Sequence, residues 1–160
     1  MADERVQIAV QFLREAYVHQ MQGELELAVD LYKRSIQTYP TAEAYTFLGW
    51  TYRFQGKLDE AIAECKNAIL IDPSFGNPYN DIGAYLIEQG KPDEAIPWLE
   101  KAIASPRYEA YHYPWCNLGR AYMAKEMYRK AQECFRKSLE IAPDYALATE
   151  GLGKIQRLMQ

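Results

Sequence analysis

The stretch that decides the fold is Trp115–Tyr122, WCNLGRAY, in which two large rings flank a Leu-Gly pair at fixed spacing. An apolar residue followed by glycine recurs along the chain, and the apolar members, at positions 48, 82, 118 and 152, stand 34, 36 and 34 residues apart. The four pairs are Leu48-Gly49, Ile82-Gly83, Leu118-Gly119 and Leu152-Gly153. A period of this length indicates an array of structural repeats.

Each repeat is predicted to contain two helices, because apolar residues recur at helical spacing on both sides of a central break. Alanine follows the same period near the start of the second helices, at Ala28, Ala61, Ala95 and Ala131. In three repeats the break is a glycine: Gly23, Gly56 and Gly90. In the fourth repeat Glu126 stands at the break, so we expect that turn to avoid the left-handed backbone conformation, which costs least for glycine.

These motifs resemble the tetratricopeptide repeat. The fourth unit matches its pattern at every position, with Trp115, Leu118, Gly119, Tyr122, Ala131, Phe135 and Pro143. The resemblance implies an all-α fold, a right-handed superhelical solenoid of antiparallel helix pairs with four repeats and a C-terminal capping helix. We expect a single domain over residues 1–160, with repeats at about 9–41, 42–75, 76–111 and 112–145 and a capping helix over 146–160.

The composition is that of a soluble globular protein. The 160 residues carry a net charge of -4, which argues against a protein that neutralises nucleic-acid phosphates. The start, MADERVQIAV, lacks the pattern of a secretory signal, and no segment is apolar for long enough to span a bilayer. The odd number of cysteines, Cys65, Cys116 and Cys134, fits free thiols in a reducing compartment. We therefore expect a cytoplasmic protein that binds neither membranes nor nucleic acid.

The first helix of the second repeat carries two separate stripes of large residues. At 3.6 residues per turn, Tyr45, Leu48 and Tyr52 form one stripe, which we assign to the core, and Phe47, Trp50 and Phe54 form another. Tetratricopeptide first helices line the concave side of the superhelix, so the resemblance implies that the second stripe faces a groove. The candidate groove residues run from an aromatic end to a polar end: Tyr17, Phe47, Trp50, Arg53, Phe54, Asn80, Asp81, Tyr113, Asn117 and Arg120.

The sequence thus predicts a non-catalytic protein-interaction module, an adaptor whose groove binds a peptide segment of another protein. Its apolar anchors would be Tyr17, Phe47, Trp50 and Phe54, although for Phe47 packing against a neighbouring repeat is an equal alternative. A homo-oligomeric scaffold is the second hypothesis. In it, a homodimer forms through exposed rings and the divergent first repeat, to which Val6 and Ile8 of a long first helix contribute.

One subset of the family binds the C-terminal carboxylate of chaperone tails with cations on the first helices. The matching positions here are Leu13, Tyr17, Phe47, Asn77 and Asp81 for the first three repeats. For the last three they are Thr46, Trp50, Asp81, Tyr113 and Asn117. Neither set supplies the cations, and Asp81 would repel a carboxylate, so we do not expect this mode of binding.

Signals for chemistry are weak. His112 and Cys116 stand four residues apart, but no second pair completes a tetrahedral metal site, and we interpret Cys116 as a small groove-facing thiol. The only other histidine, His19, occupies a position that holds tyrosine in other repeats, and we expect it to be partly buried rather than catalytic. We expect no metal, no cofactor and no enzymatic activity. An enzyme with an unrecognised small-molecule site is the least favoured alternative.

Overall fold

The computed structural model describes residues 2–160, and the described residues form nine α-helices and no named strand. This confirms the predicted all-α class of helix-pair repeats. The helices divide into two compact units, the first ending at Ser74 and the second spanning Phe75–Gln160. Among the described residues, no helix is long and apolar enough to cross a membrane.

The first unit contains two antiparallel helix pairs. Its helices are α1 (Ala2–Met21), α2 (Leu25–Thr38), α3 (Ala42–Phe54) and α4 (Leu58–Ile71). Helix α1 packs on α2, α3 packs on α4, and α2 and α3 join the pairs. The core of this unit includes Ala16, Ala28, Leu31, Tyr32 and Leu48, and Tyr32 is fully buried.

The second unit contains two further pairs and a final helix. Its helices are α5 (Asn77–Glu88), α6 (Pro92–Ala104), α7 (His112–Ala124), α8 (Tyr128–Ile141) and α9 (Ala146–Leu158). The core around α7, α8 and α9 includes Cys116, Ala131, Phe135, Ala148 and Ile155. The outer face of α9 exposes Lys154, Gln156 and Arg157, which suits a helix that closes the repeat array.

Sequence signals at the helix ends explain most of these boundaries. The Thr41 side chain caps α3 by accepting a hydrogen bond from the Ala44 amide at 3.1 Å. Asp59 and Asp93 lie in the first turns of α4 and α6, where a negative charge complements the helix dipole. Pro97 lies inside α6 as predicted. There it removes one backbone hydrogen-bond donor, so the helix is maintained by packing on its neighbours.

Close helix packing requires bare backbone at the repeat glycines. A Cβ atom placed on Gly83 would lie 2.4 Å from the Leu99 side chain, and one on Gly119 would lie 2.6 Å from the Phe135 ring. Both distances are far inside van der Waals contact, so even alanine would force the two helices apart. The glycine of the repeated apolar-Gly motif therefore sets the spacing within the three helix pairs that carry it, at Gly49, Gly83 and Gly119.

The turn at Glu126 corrects one sequence prediction. Glu126 adopts a φ of 60°, in the left-handed region, as Gly23, Gly56 and Gly90 do at the equivalent turns. The hydrogen bonds are also equivalent: the amide after Glu126 bonds to Tyr122 at 2.9 Å, and the amide after Gly56 bonds to Tyr52 at 2.9 Å. The prediction was wrong because the geometry that closes the helix dictates this conformation even where the residue disfavours it.

Replacing Glu126 by glycine should therefore stabilise the protein. The change removes a left-handed L-residue, which costs about 1 kcal/mol, and a gain of that size raises the midpoint of thermal unfolding by about 2–4 °C in a chain of this length. Circular dichroism of Glu126→Gly measures the shift. The matched control is Gly90→Ala, which should lower the midpoint, because nothing lies within 4 Å of its new Cβ and only the backbone is strained. An unchanged midpoint for Glu126→Gly would contradict this account.

Candidate functional site

A continuous row of rings lies on the first helices of the first unit, and we call Tyr17, Phe47, Trp50 and Phe54 the aromatic patch. The edge of Tyr17 packs against Phe47 with ring centroids 5.7 Å apart. Phe47 and Trp50 follow at 6.3 Å, and Trp50 and Phe54 at 5.1 Å. These are favourable aromatic distances, so each ring holds the orientation of the next.

The members of the aromatic patch differ in what covers them. Phe47 stacks on the fully buried Tyr32 with centroids 6.0 Å apart and packs against the core. By contrast, Tyr17 is 42% exposed and Phe54 is 48% exposed, and Trp50 is only partly buried. Of the two interpretations left open for Phe47, packing in the core is the one that the structure supports. Trp50, Phe54 and Tyr17 remain accessible to a ligand.

A cation borders the aromatic patch. The guanidinium carbon of Arg53 lies 5.3 Å from the centroid of the Phe54 ring, a cation–π arrangement. This contact holds a positive charge beside an accessible ring. The structure thus places five predicted residues of the first unit, Tyr17, Phe47, Trp50, Arg53 and Phe54, in one row of contacts.

In the second unit, three predicted residues bind one another rather than standing free. Arg120 donates a hydrogen bond from Nη1 to Asn117 Oδ1 at 2.8 Å, and Asn117 donates from Nδ2 to Asn80 Oδ1 at 2.9 Å. Asn80 is also buried, at 7% exposure. These residues, which we call the amide chain, link α5 to α7, so a ligand would meet them already partly satisfied.

Asp81 follows the amide chain. The Asn80 side chain hydrogen-bonds the Asp81 carboxylate, which tends to lower the pKa of Asp81, but burial raises it more, to about 7. Burial penalises the charged form, so the folded protein binds a proton at Asp81 more tightly than the unfolded chain does. The stabilisation that protonated Asp81 gives to the folded state is fully present below its ordinary pKa of 3.8. That stability is lost as the pH rises through about 7.

Tyrosines from three elements gather beside Asp81, and we call Tyr108, Tyr111, Tyr113 and Tyr145 the tyrosine cluster. The rings of Tyr108 and Tyr111 lie 5.3 Å apart and those of Tyr113 and Tyr145 5.5 Å apart. Burial, followed by the negative charge of Asp81, raises the pKa of Tyr108, and the other three tyrosines add to the effect. The phenol of Tyr108 is therefore within electrostatic reach of all of them.

The segment 105–111, which positions Tyr108, is anchored at both ends. It is longer than the corresponding connections 39–41 and 142–145, so it accounts for the longer step of 36 residues in the repeat period. The Gly76 amide donates to the Arg107 carbonyl at 3.0 Å, and a Cβ on Gly76 would lie 2.5 Å from the Tyr108 ring. The Tyr111 hydroxyl donates to the Ser105 carbonyl. Tyr108 thus lies directly on glycine backbone at the start of α5.

Sequence reasoning found Tyr113 but missed the rest of the tyrosine cluster. The available signal was the segment Arg107–Tyr113, RYEAYHY, which concentrates three tyrosines in the one unit with extra residues. The expectation for Cys116 was wrong, because Cys116 is buried in the core at 1% exposure rather than facing a groove. Its position one turn into α7 points it at α8 and α9, and burial raises the pKa of its thiol to about 11.

The histidines lie in unremarkable surroundings. His19 Nδ1 lies 3.2 Å from the Glu24 carboxylate, and the imidazole is partly buried, as predicted. His112 packs against the rings of Tyr113 and Tyr145, and burial lowers its pKa. Within residues 4–160 no three His, Cys, Asp or Glu side chains come together in a way that could hold a metal ion.

Antiparallel helix pairs at a period near 34 residues, with glycine at the close contact in three of the four pairs, define a helical-repeat protein, and the comparison with known families agrees. Sequence models described as tetratricopeptide repeat match residues 12–42, 42–75, 79–105 and 112–145. The chain belongs to the tetratricopeptide repeat family. The resemblance identified from Trp115–Tyr122 is thereby confirmed.

Similar proteins are known in sequence and in structure. The chain is 32% identical over 81 residues to small glutamine-rich tetratricopeptide repeat-containing protein 2 of Saccharomyces cerevisiae; the match covers 50% of this chain and 23% of the yeast protein. The solved structure of PilF from Pseudomonas aeruginosa superposes with a TM-score of 0.90 at 20% identity, over 98% of this chain and 71% of PilF. The first repeat domain of Spaghetti (RPAP3), solved with the HSP90 peptide SRMEEVD, has a TM-score of 0.69 at 25% identity, over 74% and 93% of the two chains.

Truncating single rings of the aromatic patch should separate packing from accessible surface. We expect Phe47→Ala to lower the free energy of unfolding by about 2–3 kcal/mol, because it leaves a cavity beside Tyr32. Phe54→Ala should cost less than about 1 kcal/mol, because the ring is already half exposed. Urea denaturation of the two variants measures the difference. Equal losses would show that Phe54 is also a packing residue.

Proposed function

We propose that this protein is a non-catalytic interaction module and that the aromatic patch binds an apolar side chain of a peptide segment from a partner protein. The observation that carries the proposal is the set of large, mutually ordered rings left accessible on α1 and α3, above all Trp50 and Phe54. Clusters of large apolar residues at a surface tend to mark interaction sites. The tyrosine cluster and the amide chain form a separate, polar surface in the second unit.

Binding at the aromatic patch would require little reorganisation. The rings are already oriented by their edge contacts, so a ligand would not have to immobilise them. Buried tryptophan, tyrosine and arginine usually dominate the free energy of protein interfaces. Trp50, Tyr17 and Arg53 supply all three residue types in one row.

The charges argue for a ligand other than an acidic tail. The repeat domain of RPAP3 was solved with the peptide SRMEEVD, which carries three acidic side chains. At the positions that would hold a carboxylate in such a domain, this chain has Leu13, Tyr17 and Phe47 in the first unit and Asn77 and Asp81 in the second. Apolar residues and an acid at these positions favour an apolar or basic peptide. We also propose a reducing, cytoplasmic location, in keeping with three free and buried thiols.

Selection of peptides from a random phage-displayed library tests the proposal. We expect enrichment of peptides with a large apolar residue, and we expect the double variant Trp50→Ala, Phe54→Ala to bind the selected peptides at least about tenfold more weakly, which corresponds to the loss of two interface rings. Isothermal titration calorimetry with synthetic copies of those peptides measures the affinities.

The matched control is Leu70→Ala, which removes an apolar side chain that is 80% exposed on α4, away from the aromatic patch. Its affinity for the same peptides should equal that of the wild type. The peptide SRMEEVD should not bind. Selected peptides that bind the double variant as tightly as the wild type would place the site elsewhere.

Self-association is a second candidate, favoured by the exposure of α1. Ile8 is 48% exposed, and Val18 and Met21 are each 51% exposed, although α1 is the longest helix of the described chain. Solvated aliphatic side chains on one helix are the kind of surface that a homodimer buries. In this alternative the protein is a scaffold in which α1 of one copy packs against α1 of another.

Light scattering of the purified protein decides between a monomer and a dimer. If α1 forms the contact, Ile8→Glu with Val18→Glu should convert the dimer into a monomer, because two charges would have to be buried in each copy. Trp50→Ala should leave the mass unchanged. A wild-type protein that stays monomeric at high concentration removes this alternative.

A further inference from the structure

Asp81 is a partly buried acid of the second unit that no cation among the described residues pairs with. Its carboxylate is only partly exposed and accepts a hydrogen bond from Asn80, and within residues 4–160 it forms no ion pair. Partial burial of an ionised carboxylate is unfavourable unless a positive charge accompanies it. Ionisable groups in such unfavourable surroundings are found more often at functional sites than elsewhere in a protein.

The surroundings of Asp81 are those that bind cations. The ring pairs Tyr108 and Tyr111, and Tyr113 and Tyr145, have centroids 5.3 and 5.5 Å apart, and Tyr113 is 43% exposed. Faces of aromatic rings attract ammonium and guanidinium groups. One turn before Asp81 on α5, Asn77 borders an open cavity of about 280 Å³, whose wall also includes Tyr108, Arg107 and Glu109 but not Asp81 itself. Tyr108, whose pKa responds to the charge of Asp81, thus borders an open space one helical turn from that carboxylate.

Two arginines of this unit are engaged elsewhere. Arg120 donates to Asn117 at 2.8 Å, and the guanidinium of Arg107 lies over the ring of Phe75 at 4.1 Å. Neither is among the groups that change the pKa of Asp81, which is governed by burial and by Asn80. A positive charge next to Asp81 would thus have to come from another molecule.

We propose that Asp81 and the tyrosine cluster bind a basic side chain, lysine or arginine, of a peptide from a partner protein. The ammonium or guanidinium group would lie against the Asp81 carboxylate and the faces of Tyr108 and Tyr113, with its aliphatic stem along the rings. This inference rests on the proposed function and specifies the chemistry of the partner. It also explains why the equivalent positions lack the lysines that would hold an acidic tail.

Small probes test the site apart from any peptide. The probes are Nα-acetyl-lysine amide and, as the neutral counterpart of similar shape, Nα-acetyl-norleucine amide, titrated into protein labelled with ¹³C in its aspartate carboxyls. We expect the lysine probe to shift the Tyr113 ring signals and to lower the measured pKa of Asp81 by about one unit at saturation, the effect of an opposite charge within 4–6 Å. The norleucine probe should do neither.

Variants complete the test. Asp81→Asn should bind the lysine probe about tenfold more weakly, as should Tyr113→Ala, whose exposed ring can be removed without loss of the fold. The control Asp144→Asn, at another exposed acid of the same unit, should bind like the wild type. Equal binding of the two probes, or wild-type affinity in Asp81→Asn, overturns the inference. These variants leave Trp50 and Phe54 unchanged, so a negative result would not contradict peptide binding at the aromatic patch. Conversely, a failure of peptides to bind at the aromatic patch would not contradict binding of the lysine probe at Asp81.

The pH adds an independent readout. Binding of the lysine probe should weaken as the pH falls from 8 to 6, because Asp81 becomes neutral over this range. Two neighbouring groups do not change their charge over this range: the raised pKa of Tyr108 keeps its phenol neutral, and the lowered pKa of His112 keeps most of its imidazole neutral. A flat pH profile would contradict the role of Asp81.

Discussion

Contact between a large core side chain and bare glycine backbone is the constraint on which the rest of the structure depends. The Phe135 ring in the second unit lies between two glycines: a Cβ on Gly119 would be 2.6 Å from it and a Cβ on Gly151 2.5 Å. The ring is fully buried, so it holds α7 and α9 against α8 at one distance. Since packed cores do not deform continuously, this distance fixes which faces of the first helices are covered.

The same constraint decides which rings stay accessible. In α3 the backbone at Gly49 lies so close to the Ala61 carbonyl oxygen that a Cβ on Gly49 would be 2.9 Å from that oxygen. This approach orients α3 so that Leu48 and Thr51 are buried in the core. The face that begins at Trp50 then points away from α4. Phe47 lies between the two faces, and its stacking on Tyr32 draws it into the core while Phe54 stays half exposed.

The helical pairs, their glycine register and the long connection at 105–111 were predictable from the sequence, because each depends on local spacing and on residues with strong backbone preferences. The conformation of Glu126 was not, since the hydrogen bonds that close α7 outweigh the preference of one residue. Nor could the sequence show that Phe47 packs in the core while Trp50 stays accessible. Helical spacing indicates which residues share a face of the helix, but it does not indicate which side chains pack against that face. The tyrosine cluster escaped prediction for a similar reason: Tyr108 and Tyr145 come from segments outside the repeat pattern.

The amide chain ends at Asp81 without pairing that residue with a cation. Arg120 donates to Asn117, Asn117 donates to Asn80, and the Asn80 side chain in turn serves the Asp81 carboxylate, so every donor points from the cation towards the anion. Because the chain has a donor at Arg120 and an acceptor at Asp81, exchanging Oδ1 and Nδ2 in the side chain of Asn117 or Asn80 would lose a hydrogen bond. Arg120, at the far end of the chain, is not among the groups that change the pKa of Asp81, so the carboxylate has no compensating positive charge. An incoming cation would then complete an arrangement that is already oriented, rather than having to create one.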